Sequence, residues 1–297
     1  MFVTIILGIL ILLILSHSSL SLYYAFHGLT LWYGNMVPAL LPFMIISGLI
    51  VKKGMASYVM TIIHPFIHLF FRVRSVLSYG IFMGFLCGFP MGAKVARDLY
   101  LQKQISKKEA EYLLAFCNNF GPIYMLSFAL PIMGMESKII PSLFGFYIIP
   151  LLYGIILRYT LYSDIPSSSG KKALIPREPI SLMQALYDSI KDSIESIAIL
   201  CGYMVFFNLF NLAIHIIVPQ FLGYISPVFE ITGGLGLLKG GNPIYGFILL
   251  SFGGLCCYAQ TYSVICNTDL SFGNYVKHKV LQTLLSSIYF LLFFPFL

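Results

Sequence analysis

The sequence predicts an all-α polytopic membrane protein made of two inverted-topology repeats with re-entrant helical hairpins and broken helices. Three observations predict it. Hydrophobic residues make up 59% of the chain and charged residues only 10%, with a mean hydropathy of +0.88; soluble domains carry about 25% charged residues. Two apolar segments, SYGIFMGFLCGFPMGAKVAR at 78–97 and YGFILLSFGGLCCYAQTY at 245–262, are broken near the middle by Gly84, Gly88, Pro90 and Gly92 in one and by Gly253 and Gly254 in the other. Laid together with Ala93-Lys94 over Ala259-Gln260, they suggest an internal repeat, and one residue of slippage then brings Ile105-Ser106 over Leu270-Ser271. Such paired interruptions point to the binding site of a secondary transporter. The competing reading is two ordinary helices with packing glycines.

Apolar runs of about 20 residues place spans at 2–24, 33–51, 112–133, 139–157, 194–218 and 280–297, with the two broken segments among them as re-entrant hairpins. The first span reads as a retained helix, because no Lys or Arg precedes it and no clear A-x-A site follows. Residues 1–31 form an N-terminal membrane helix and 32–158 a first repeat. The polar stretch 159–191, with SSSGKK and three prolines, is a cytoplasmic linker, and 192–297 form the second repeat. Between 51 and 77, His64, His68, Arg72 and Arg74 recur near helical spacing, as in an interfacial amphipathic helix.

Basic residues set the orientation. With a cytoplasmic N-terminus, Lys52, Lys53, Arg72, Arg74, Lys94, Arg97, Lys103, Lys107, Lys108, Arg158, Lys171, Lys172, Arg177 and Lys191 lie inside, fourteen of the 18, as the positive-inside rule requires. Lys138, Lys239, Lys277 and Lys279 remain outside. The two hairpins then enter from opposite faces, as an inverted repeat demands.

A broken helix exposes N–H and C=O groups that hydrocarbon cannot satisfy, so the breaks are the candidate solute walls. In the first, Gly88, Phe89, Pro90 and Gly92 form a turn, and GFPMGAK lacks the glycine spacing and the Ser or Thr of a nucleotide-binding loop. Two roles are open to Lys94: a partner for an anionic solute, or a lysine that snorkels to the interface. Ser106 and Glu109 form a capping box ahead of Asn118, Asn119 and Pro122, a polar break inside an apolar span whose amides either bind solute or glue helices. Glu230 and Thr232 precede a glycine pair and face Gly253, Gly254 and Gln260, placing an acid for hydrogen bonding or for coupling to a proton or cation, or else at the outer interface. Asn208, Asn211 and His215 share one helix, with packing the safer role.

The six cysteines lie in or beside apolar stretches without a CxxC or His-spaced pattern, so neither metal nor disulfides are expected. No catalytic set appears, which argues against an enzyme, and no cofactor is implied. The formal charge of +7 reads as lipid-facing loops rather than nucleic-acid binding. The expected partners are a small-molecule solute and membrane lipid, and a homo-oligomer is compatible with this reading.

Val37-Pro-Ala-Leu-Leu-Pro-Phe43, GFPMGAK, ISKKEAEYLLAFCNNFGP, FEITGG and SFGGLCCYAQ occur in the order seen in YlbJ-type sporulation integral membrane proteins, which carry nucleoside-recognition or Gate domains, and the chain resembles them from Trp32 onward. The resemblance implies Gate-like repeats, a distant relation to concentrative nucleoside transporters, and movement of a small solute, dipicolinate-like or nucleoside-like, across the bacterial inner or spore-surrounding membrane. Cys256 and Cys257 depart from the small or polar residues usual in the family. The expected function is a secondary permease for a small polar, anionic solute; the alternative is a non-transporting membrane assembly protein of sporulation.

Overall fold

The computed structural model describes residues 2–167, 180–238 and 241–294. Every regular element among them is helical. Besides the short turns Ala56–Val59 and Pro219–Phe221 they are α1 (Phe2–Ser16), α2 (Ser18–Lys52), α3 (His64–Phe71), α4 (Ser75–Cys87), α5 (Met91–Leu101), α6 (Lys107–Phe116), α7 (Pro122–Ile132), α8 (Glu136–Tyr159), α9 (Leu182–Ile217), α10 (Leu222–Phe229), α11 (Ile231–Leu237), α12 (Pro243–Phe252), α13 (Gly254–Ile265) and α14 (Phe272–Leu292). Four stretches are long and apolar enough to cross a bilayer, α2, α8, α9 and α12 with α13, and a fifth if the bent pair α3 and α4 counts as one. Large apolar side chains such as Leu12, Leu22, Phe26, Phe66, Ile140 and Leu284 stand exposed around the outside, where lipid would meet them. The protein is a multi-pass membrane protein.

The two longest helices form the frame. The α2 and α9 helices run antiparallel: Tyr24 Oη meets His215 Nδ1 at 2.9 Å, Trp32 Nε1 donates to Ile197 O at 2.8 Å, and Lys52 pairs with Asp192 at 2.7 Å. Three π-helical turns, Trp32–Met36, Met125–Ala129 and Phe144–Ile148, each end two residues before a proline, namely Pro38, Pro131 and Pro150. A proline cannot donate to the preceding turn, and widening that turn lets the helix continue instead of breaking.

With α1 and α3 set aside, each half has the same order: long helix, two short helices folded side by side, interrupted helix, closing helix. In the first half α4 and α5 pack as a hairpin and the interrupted pair is α6 and α7. The second hairpin is α10 and α11, where Gly223 sits against Leu237 and Gly234 against Pro227. The segment 245–262 is therefore not a re-entrant hairpin. Its arms α12 and α13 do not pack along each other, and with Gly253 between them they count as one 23-residue span. The overlay of 78–97 on 245–262 thus pairs a hairpin with an interrupted span. A glycine break permits either a reversal or an interruption, and here the chain continues.

Other expectations shift as well. The first span ends at Ser16, and 33–51 belongs to the 35-residue α2. The α9 helix begins at Leu182, inside the expected linker, where Ser181 Oγ accepts from Gln184 N at 3.0 Å. Within 51–77, α3 ends at Arg72 with φ 45° and turns by 98° into α4. Lys277 stands at the start of α14, beside the 266–271 loop that Asp269 joins to Tyr100 at 2.8 Å and Lys107 at 3.1 Å, so Lys277 and Lys107 share one end of the molecule. Lys279 is 3% exposed in the interior and not an outer-loop residue. Lys171, Lys172, Arg177 and Lys239 lie outside the described residues.

Candidate functional site

Both hairpin tips, the first interruption, α13 and both long helices converge on one small cavity. Its wall takes Met36 and Leu40 from α2, Cys87 and Phe89 from the first tip, and Phe120 and Tyr124 at the α6–α7 interruption. Met204 from α9, Glu230 and Thr232 from the second tip, and Cys257 and Gln260 from α13 complete it. The enclosed volume of ≈ 30 Å³ has room for one or two waters and none for an organic solute.

Glu230 is the sole residue between α10 and α11, and its extended backbone lets the chain reverse there. Its carboxylate caps α11: Oε1 accepts from Thr232 N at 2.9 Å and Oε2 from Gly233 N at 2.7 Å and Asn208 Nδ2 at 3.2 Å. Acid at a helix N-terminus is stabilised by unpaired N–H groups and by the dipole. Glu230 is thus 2% exposed yet satisfied. Tyr124 Oη reaches Thr232 Oγ1 at 3.4 Å and links this tip to α7.

Gly253 and Gly254 have φ of 94° and 73° and do two jobs. They stop α12 without a hairpin, and their bare Cα faces admit both tips. A Cβ on Gly253 would lie 3.3 Å from the Phe89 ring, and one on Gly254 would lie 3.1 Å from Pro227 O. The interruption in the second half is therefore wedged between the two hairpin tips.

The first-half interruption, Cys117 to Gly121, is organised by two amides. Asn118 Oδ1 accepts from Ala93 N at 3.3 Å, while its Nδ2 donates to Thr261 Oγ1 at 2.9 Å. Asn119 Nδ2 returns to Phe116 O at 2.7 Å and closes the end of α6. Its Oδ1 receives Lys279 Nζ at 2.8 Å. Lys279 was missed by the sequence reading, although Tyr275, Lys279, Gln282, Ser286 and Phe290 form one buried stripe at three- and four-residue spacing along α14.

Of the expected site residues, Phe89, Glu230, Thr232 and Gln260 line the cavity. Gly88, Gly92, Asn118, Asn119, Gly253 and Gly254 pack behind these residues, and Pro90 sits in the first turn outside the wall. Lys94 does neither. It is buried on α5 with Nζ 3.8 Å from Asp98, an i,i+4 pair, and is absent from the wall. Among the described residues no three His, Cys, Asp or Glu side chains cluster as a metal site.

No known family profile and no solved structure matches the chain. It is similar to the sporulation integral membrane protein YlbJ of Bacillus subtilis (strain 168), with 26% identity over 94% of this chain and 79% of the relative.

Proposed function

We propose that the chain is a secondary permease for a small polar, anionic solute and that its two hairpins work as inverted gates. One observation carries this reading: two hairpin tips and the first helix interruption meet at a single cavity, and the second interruption packs against both tips. Exposed main-chain dipoles at such meeting points are how many transporters bind their cargo near the bilayer midplane. A cavity of ≈ 30 Å³ fits a closed state in which the tips must part before cargo enters. The carboxylate of Glu230 is turned onto three N–H donors of its own, and the ammonium of Lys279, behind the Phe89 ring, has no ion pair among the described residues. That balance favours an anionic group. The similarity to a sporulation membrane protein supports a role in that process, with a membrane of the sporulating cell as the location.

The test is flux into proteoliposomes, with labelled aromatic dicarboxylates and nucleosides as probes. The expected result is uptake above protein-free vesicles, reduced about tenfold in Gln260→Ala by the loss of one solute hydrogen bond. A folded protein that moves none of these probes would instead favour a membrane assembly factor.

A further inference from the structure

Lys279 is a buried ammonium with no carboxylate beside it: among the described residues no Asp or Glu oxygen lies within 4.0 Å of its Nζ. An ammonium has three N–H groups. One meets Asn119 Oδ1 at 2.8 Å and one Asn118 O at 3.3 Å, and the ring of Phe89 lies 4.7 Å away to face the third. None of these partners is on α14. Two come from the interruption just past the C-terminus of α6, where main-chain carbonyls lack helical donors and the dipole is negative. The third comes from the first hairpin tip.

Uncharged oxygens at a helix C-terminus, completed by an aromatic face, suit a weakly held monovalent cation. Asn119 is fixed for that task, because its amide nitrogen is already spent on Phe116 O and its oxygen can only point toward the lysine. Burying a charge without a counter-ion is costly, and hydrophobic residues would fill the space more cheaply. Gln282, one turn along α14, donates to Ala115 O and extends the same carbonyl-facing stripe.

We propose that Lys279 is a tethered cation: its ammonium fills a monovalent-cation site formed by Asn118, Asn119 and Phe89, so this site takes up no free sodium or potassium. The inference deepens the permease reading by naming what stands in the cation position. It also assigns Phe89 a second task, since the ring that closes the cavity is held by the lysine behind it.

The test uses the full chain in detergent and reads thermal stability in sodium, potassium, methylammonium and choline chlorides at equal ionic strength. Wild type should show the same midpoint in all four. Lys279→Ala should melt lower and recover part of the loss in sodium, potassium or methylammonium but not in choline, which is too large, because a ligand bound only by the folded state raises its stability. A wild-type protein stabilised by sodium over choline, or a folded Lys279→Ala that ignores all small cations, overturns the proposal. If Lys279→Ala does not fold, Asn119→Ala decides: a lowered midpoint without sodium dependence supports the tethered cation, and an unchanged midpoint overturns it. Stability is read without transport, so the two readings fail separately. A cation-responsive Lys279→Ala in a protein without flux removes the permease alone, and flux with cation-blind variants removes the tethered cation alone.

Discussion

Asn118 Nδ2 lies 2.9 Å from Thr261 Oγ1, and this contact ties the interruption of one half to the helix that follows the interruption of the other. The same amide accepts from Ala93 N on the first hairpin. Asn118→Ala should therefore leave a buried main-chain N–H unsatisfied and cost about 1–3 kcal/mol. Thr261→Val should cost less, since Asn118 Nδ2 also reaches Tyr275 Oη at 3.5 Å. In a double-mutant cycle the pair should show coupling of about 0.6 kcal/mol or more, the average for polar contacts between membrane helices. Additive losses would mean that the contact carries no energy.

Glu230 is placed by the chain reversal it caps. Glu230→Ala removes the acceptor for Thr232 N and Gly233 N together and should lower stability by about 2 kcal/mol, the upper range for a lost cap. Glu230→Gln keeps one acceptor oxygen and should recover part of that loss. Denaturation midpoints of the two variants in detergent check the order, and an alanine variant as stable as the glutamine would remove the cap from the account.

These residues also show how far the sequence could be read. Gly88, Pro90 and Gly92 announce the first hairpin, because its arms of 13 and 11 residues carry clear apolar patterns into the break. Asn118, Asn119 and Pro122 announce the first interruption for the same reason. The second hairpin has arms of eight and seven residues, too short for any window that measures membrane crossing, so Glu230 stands out as a site acid but not as the turn of a hairpin. Gly253 and Gly254 mark a break without its direction, which depends on contacts with both tips. Lys279 escapes because a charge ends a hydropathy run, and the apolar count resumes at Val280. Its burial follows from partners more than 150 residues away in sequence, Asn118 and Asn119.

Gly92 backs onto Cys117 O and Asn118 Cα, so an added Cβ would strike main chain that cannot swing aside. Gly92→Ala should push the first hairpin off the interruption and cost about 1–3 kcal/mol, the range for overpacking. Gly202→Ala is the matched control. Nothing lies within 4 Å of a Cβ at that site, and alanine is the better helix former, so its effect should be neutral or stabilising by up to about 1 kcal/mol. Equal midpoints for the two variants would show that hairpin and interruption are loosely packed.

The end of the molecule that carries Lys52, Lys53, Lys103, Lys107, Lys108 and Lys277 also carries Cys266, and the positive-inside rule assigns that end to the cytoplasm. The loop from 266 to 271 is held there by Asp269 through Tyr100 and Lys107. Cys266 is exposed, Cys201 is half-buried, and the other four cysteines are buried. In a Cys201→Ser background, a membrane-impermeant maleimide should label Cys266 in inside-out vesicles and leave it unlabelled in right-side-out ones. Lys138, at the start of the spanning α8, places the opposite end outside, and a cysteine introduced there should label in the reverse pattern. The converse result at both positions would invert the whole map and place Lys52, Lys107 and Lys277 against the rule that the basic residues otherwise obey.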